Sequence, residues 1–133
     1  AEQLEGPYVQ LPFPVTSNEQ RIEDGYAFMH QGKFALLTTD NHGIIEEGGG
    51  LLWTSDDGIH FTHFEQGFRR INHYTEVDPD KVTIHYGPGG RTYSKFERPQ
   101  LLLINDKPAY LYVPSGHNIY GGDCTVSYVL RKK

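Results

Sequence analysis

The stretch Ile22-Glu23-Asp24-Gly25-Tyr26-Ala27-Phe28-Met29-His30-Gln31-Gly32-Lys33-Phe34-Ala35-Leu36-Leu37-Thr38-Thr39 decides the fold. Two apolar runs, 26–29 and 33–39, flank His30-Gln31-Gly32, a pattern that predicts two strands joined by a tight hairpin. Working outward, residues 51–54 and 59–62 flank Ser55-Asp56-Asp57-Gly58 and predict a second hairpin. Residues 81–86 predict a further strand, followed by a turn at Gly87-Pro88-Gly89-Gly90. Residues 100–104 and 108–113 pair around Asn105-Asp106-Lys107, and 124–130 form a last strand. No window of about eleven residues carries a 3.6 period. The expected class is all-β, built of antiparallel sheets.

The chain also resembles itself. Shifted by about 74 residues, 22–39 falls on 96–113 without a gap, with Glu23 on Glu97, Lys33 on Lys107, Ala35 on Ala109 and Leu37 on Leu111. The Gly-rich stretch Gly48-Gly49-Gly50 falls near Gly121-Gly122. Each unit reads as an acidic residue, a strand, a tight turn, a strand, a Gly-bearing loop and a third strand. Repeated antiparallel units of this size are the signature of a β-propeller blade.

Composition sets the outer bounds. The 133 residues suit about one domain, and 37% hydrophobic against 22% charged is a globular balance. Fifteen Gly and eight Pro punctuate the chain too often for long helices. The net charge is −5 and the only basic run is Arg131-Lys132-Lys133, so nucleic acid is not an expected partner. One cysteine, Cys124, excludes an internal disulfide framework and a Cys-based zinc finger. No apolar run approaches the roughly 18 residues of a membrane span. Residues 1–5 show neither a basic nor an apolar leader segment, so no signal peptide is read in them.

Three segments together resemble the β-propeller glycoside hydrolases of families 43 and 117. Glu23-Asp24 with the hairpin behind it resembles the opening of one blade, with Gly25 where the family places Pro. Phe96-Glu97-Arg98-Pro99-Gln100-Leu101-Leu102, followed by Lys107-Pro108-Ala109-Tyr110-Leu111, resembles the opening of a later blade. Gly6-Pro7-Tyr8 and Leu11-Pro12-Phe13-Pro14 resemble the segment that leaves a preceding blade; Glu5-Gly6-Pro7 is read as part of it and not as an acid-bearing motif. The resemblance implies a partial five-bladed propeller: a single β region over 1–133, with 1–20 a tail from a preceding blade, 21–95 a first blade and 96–133 a second, closing blade. Thr54-x-Asp56-x-Gly58-x-x-Phe61 resembles the Asp-box of sialidase-type propellers, and Ser55-x-Asp57-Gly58-Ile59-x-Phe61 resembles the S-x-D-G-x-x-W turn of other sugar-cleaving propellers; there the aspartate caps backbone, the glycine takes a positive φ and the aromatic packs beneath.

In such propellers the residues before the innermost strands line the pocket. The resemblance therefore points Glu23, Asp24, Glu97 and Arg98 at a shared cavity. Glycoside hydrolysis needs one carboxylic acid to protonate the leaving oxygen and a second carboxylate to activate water or attack the sugar. Glu23 and Asp24 are the candidates, with His73 of Asn72-His73-Tyr74 as general acid by likeness to family 117. Glu97, Arg98, Asp40 and His42 are candidate substrate-binding residues, the arginine being suited to a substrate carboxylate or sulfate. The structural alternatives are plain: an ion pair fixing strand starts for Glu97-Arg98, an Asx-turn with an exposed His42 for Asp40-Asn41-His42-Gly43, and a surface loop for His73.

The implied function is hydrolysis of a glycosidic bond in a polysaccharide-derived oligosaccharide; the rival is a non-catalytic carbohydrate-binding or structural β domain. No cofactor and no metal site are expected, because no histidine spacing demands one. The implied partners are an oligosaccharide substrate and either a second copy or the remaining blades of a longer enzyme, with no nucleic acid and no membrane. An extracellular or periplasmic location follows from the resemblance alone.

Overall fold

The structure is a computed structural model that describes residues 4–16, 22–74, 83–86, 90–93, 95–117 and 124–132. Strands β1 (Glu23–His30), β2 (Lys33–Thr39), β3 (Gly50–Ser55) and β4 (His63–Phe68) form an antiparallel sheet in the order β1-β2-β3-β4. Strands β5 (Thr83–Tyr86) and β6 (Gly90–Tyr93) form a separate two-stranded sheet. Strands β7 (Gln100–Ile104), β8 (Lys107–His117) and β9 (Cys124–Arg131) form a three-stranded antiparallel sheet. Among the described residues there is no α-helix, only a 3-10 turn at Ile71–His73. Among the described residues no helix is long and apolar enough to cross a membrane.

The first hairpin forms as the sequence predicts: Tyr26 pairs with Leu37 and Met29 with Phe34. Its turn holds Gln31 at φ 52 and Gly32 at φ 77, two consecutive left-handed residues that match the twist of the flanking strands. Asn105 and Asp106, 74 positions later in sequence, hold φ 50 and 57 in the β7–β8 turn. The third strands follow the same shift, β3 starting at Gly50 and β9 at Cys124. The expected turn at 87–89 and the Gly121-Gly122 loop lie outside the described residues.

One strand expectation is corrected. Residues 59–62 are not the second arm of a hairpin; the chain curls through them and strand β4 starts only at His63. The cause is Asp57, whose Oδ1 accepts the amides of Ile59 and His60 at 2.8 Å each and so bends the backbone away from β3. Phe61 then drops into the core, and its amide bonds the Val15 carbonyl at 2.8 Å.

Period-2 alternation sends side chains of the four-stranded sheet into two cores. On one face Leu37 and Phe68 pack with Ile71, Phe96 and Val113, and Tyr26, Phe28, Leu52, Leu101, Leu111 and Leu130 close around them. This core lies between the two larger sheets, and the Tyr26 hydroxyl ties them by donating to the Leu101 carbonyl at 3.1 Å. On the other face Leu51, Trp53 and Phe61 pack under Val15, Ile22, Leu36 and Ile44. There the buried Trp53 indole donates to Thr38 Oγ1 at 3.0 Å, which satisfies its one polar group. Phe28, Leu37, Leu52 and Leu111 thus find their packing within the chain, whereas Leu102 is 44% exposed.

Candidate functional site

The pairings Glu23–Thr39, Thr39–Gly50 and Gly50–Phe68 form one row across the end of the four-stranded sheet. Asp24 stands at this end, at a register shift between Glu23 and Tyr26. It sits at φ 60, a conformation Asp tolerates better than most residues. Its counterpart in the repeat, Arg98, sits at φ 46 directly before Pro99. A bulky residue there, before proline, is strained by roughly 1–2 kcal/mol, and strain of this kind gathers at functional sites.

The two residues meet. Asp24 Oδ2 accepts the Arg98 amide at 3.2 Å and the Thr39 hydroxyl at 3.0 Å. The Arg98 guanidinium lies 3.8 Å from Asp24 Oδ1 and 3.6 Å from Glu97 Oε2. Glu23 accepts a hydrogen bond from Asn41 Nδ2 at 2.7 Å. The Glu97 amide donates to the Pro114 carbonyl and the Phe96 amide to that of Gly48, so the segment entering β7 is stitched to β8 and to the β2–β3 loop. Lys95 reaches the Asn41 carbonyl at 3.0 Å and the Glu47 carboxylate at 2.7 Å. Glu23, Asp24, Glu97 and Arg98 therefore share one end of the two sheets. Thr39, Asn41 and Lys95 join them; Thr39 ends the repeated hairpin and Asn41 lies in the Asp40-Asn41-His42-Gly43 motif, while Lys95 was not singled out in the sequence.

Asp40 occupies a different role from the binding one expected of it. It is fully buried, its Oδ1 accepts the Ile44 amide and its Oδ2 those of Ile45 and Glu46, at 2.8–2.9 Å. Its backbone also bonds Gly48 and Gly49. With both oxygens turned into the 40–49 loop, Asp40 is the peg around which that loop folds. His42 is exposed on the same loop and has no hydrogen bond to the described residues.

His73 lies apart from Asp24. It ends the 3-10 turn beyond β4, and β1 and β4 are three strand spacings apart, about 14 Å. Its carboxylate partner is Glu46, whose Oε1 is 2.8 Å from His73 Nε2. The Glu46 carboxylate also receives the Arg70 amide at 2.9 Å and the Arg69 guanidinium at 3.4 Å. Burial alone would push this carboxyl up, but the Arg70 amide, the Arg69 guanidinium and the His73 imidazole outweigh it and hold the group below the ordinary glutamate range. Burial raises the neighbouring Tyr74 phenol, whose oxygen accepts the Arg69 amide. Glu46 sits in a loop with no motif around it, and nothing in the sequence marked it.

The Asp57 turn has the geometry its residues suggest. Ser55 Oγ donates to Asp57 Oδ1 at 2.8 Å and accepts the Gly58 amide at 3.0 Å, Gly58 takes φ 75, and Phe61 is buried. The His60 ring, 2.6 Å from Asp57 Oδ2, is the largest of several hydrogen bonds that hold this carboxyl well below its usual range. Among the described residues no group of three or more His, Cys, Asp or Glu is placed to hold a metal ion. Comparison with protein-family models, with curated proteins and with solved structures finds no match to this chain.

Proposed function

We propose that this chain is part of a β-propeller glycoside hydrolase, with the four-stranded and three-stranded sheets as neighbouring blades and a sugar pocket at the end that carries Glu23, Asp24, Glu97 and Arg98. One observation carries the reading: Asp24 and Arg98, equivalent in the repeat and both left-handed, are in direct contact at the strand starts. Three carboxylates and one guanidinium gathered at one end supply the groups that acid/base cleavage of a glycosidic bond requires. Arg98, 66% exposed, is free enough of packing to turn towards an anionic sugar. Glu23 and Glu97 are the more accessible carboxylates, while Asp24 is held in place by Thr39 and Arg98. The remaining blades, or a second copy, complete the site, outside the cell or in the periplasm. His73, paired with Glu46 across the sheet, has no part in this proposal.

A second reading has its own support. Both Asp24 oxygens face protein groups, which suits a latch between two strand starts better than a group that attacks or activates water. The domain would then bind carbohydrate through Glu97 and Arg98 without cleaving it. The test is to incubate the polypeptide that carries this domain with plant, algal and host oligosaccharides and to follow products and binding together. The hydrolase reading expects cleavage of one substrate class and a fall of at least roughly a hundredfold in Glu23→Gln or Asp24→Asn. Saturable binding without products supports the second reading, and neither binding nor cleavage across the panel overturns both.

A further inference from the structure

The sheets differ in how their edges are made. The ladders that end on β1, β4 and β7 each break register once, at Glu23/Tyr26, Gly50/Leu51 and Leu102/Leu103. The β8–β9 ladder runs from Tyr110–Arg131 to His117–Cys124 without a break. Residues 124–131 contain no proline, and Arg131 is their one charged residue. Natural edge strands are usually blunted by a bulge, a proline or charge, and a long regular edge is a template for another strand. The groups this edge offers follow from the hydrogen-bond phase. The Lys132 amide donates to the Ala109 carbonyl, while the Pro114 carbonyl faces the other way and accepts the Glu97 amide. Odd-numbered residues of β8 therefore bond β9, and even-numbered ones face the β7 side. Tyr110 pairs with Arg131, Tyr112 with Val129 and Pro114 with Ser127, so Ser127, Val129 and Arg131 turn their amides and carbonyls outward. No described residue hydrogen-bonds those outward groups. All three side chains are exposed, Val129 by 53%.

We propose that β9 pairs antiparallel with β9 of a second copy, about a two-fold axis at Val129, and merges two three-stranded sheets into one of six strands. A second copy fits because the edge is complementary to itself. With the two Val129 residues opposite each other, Ser127 faces the partner's Arg131 and Arg131 faces the partner's Ser127. Three hydrogen-bonded pairs form, about six bonds in all, and every outward group of these residues is satisfied. The β-branched Val129 side chains meet across the seam, each beside Tyr112, its neighbour on β8. Charge and packing select this register. An axis at Arg131 sets two guanidiniums directly opposite, and an axis at Ser127 parts the two valines. The pairing is isologous and closed, so it covers both β9 edges and leaves none for a third copy. The seam lies two strands from β7, so the end that carries Asp24 and Arg98 stays open and the proposal is independent of the sugar reading.

The test is sedimentation of the whole protein over a range from about 1 μM to about 1 mM. A reversible monomer–dimer equilibrium is expected with a Kd of roughly 10–100 μM, weak because an edge pair of this length buries less than the ~1,000 Å² of a stable interface. Val129→Pro removes an outward amide that β8 does not use, a change edge strands tolerate, and is expected to weaken association roughly tenfold or more with an unchanged circular dichroism spectrum. Val129→Lys sets two charges opposite each other and is expected to weaken the dimer as much while keeping the amide. In a Cys124→Ser background, Val129→Cys is expected to form an intermolecular disulfide on mild oxidation, since the Cα atoms of a hydrogen-bonded pair stand about 5.5 Å apart, within disulfide range. Arg131→Cys, about 13 Å from its counterpart in this register, is expected to stay reduced. A monomer at every concentration overturns the proposal. So does a dimer that Val129→Lys leaves unchanged, assembly that grows beyond two copies, or cross-linking through Arg131→Cys as readily as through Val129→Cys.

Discussion

The Asp24 carboxylate accepts the backbone amide of Arg98 across 74 residues of sequence, and 74 is also the shift at which the chain matches itself. Equivalent positions of two repeats thus touch, as they do when two like units stand side by side with their first strands adjacent. The contact also explains the two left-handed conformations: turning the chain at each strand start brings one amide and one carboxylate into register.

Asp24 is therefore expected to respond to substitution by hydrogen-bonding capacity more than by charge. Asp24→Asn keeps an acceptor and tolerates the left-handed conformation, so a loss below about 1 kcal/mol is expected. Asp24→Ala leaves the Thr39 hydroxyl and Arg98 amide without their acceptor and adds backbone strain, for a loss of roughly 2–4 kcal/mol. Urea unfolding of the two variants checks this. Equal losses would show that the carboxylate is not the latch.

Asp40 makes a larger contribution of the same kind. Three amides of one loop end on its two oxygens inside the protein, and removing the carboxylate strands all three. Asp40→Ala is expected to lose roughly 3 kcal/mol or more and to speed hydrogen exchange at Ile44, Ile45 and Glu46 before any other amides. Exchange that rises evenly over the sheet would contradict a loop-specific role.

Glu46 gives the stability a pH dependence with a definite sign. Its carboxyl lies below the ordinary value of 4.5 in the folded protein, so folding favours the charged form. The resulting stabilisation is complete above the unfolded-state value and is lost as pH falls from about 5 through the folded value. Glu46→Gln is expected to lose about 1–2 kcal/mol at pH 7 and to flatten the acid limb below pH 5, as read by thermal melts from pH 3 to 7. An acid limb of unchanged slope would assign that dependence to other carboxylates.

Much of the architecture was legible because alternation and turn chemistry act locally. Gln31-Gly32 and Asn105-Asp106 each turn a hairpin where the apolar runs break, and the register between Tyr26 and Leu37 follows from burying one face. The Glu23-Asp24 and Glu97-Arg98 positions were legible through the repeat. Asp57 was legible as a turn residue, but not the length of its loop, since that depends on Phe61 finding the second core and on the Val15 carbonyl. Asp40 was legible as a loop-turn residue but not as the acceptor of three loop amides, and Glu46 was opaque, for the same reason. A carboxylate's role is set by which amides and cations reach it in three dimensions, and Arg69, Arg70 and His73 reach Glu46 only after β4 has crossed the sheet.

The closest packing in the first sheet tests the inter-sheet core directly. Gly50, where β3 begins, lies so near the Phe68 ring that an added Cβ would stand 2.0 Å from Cε1 and 2.4 Å from Cζ. The glycine is required here for room, since the ring fills the place of its side chain. Phe68 cannot swing aside without disturbing Phe96, whose ring centre is 6.4 Å away in the same core. Gly50→Ala is thus expected to lose roughly 2–3 kcal/mol through overpacking. Phe68→Leu alone should lose about 1–2 kcal/mol by removing ring volume. Together they should lose less than the sum, because the smaller side chain vacates the space the new methyl needs, with a coupling of at least about 1 kcal/mol. Additive losses in a double-mutant cycle would mean that the ring and the glycine are not in contact in solution.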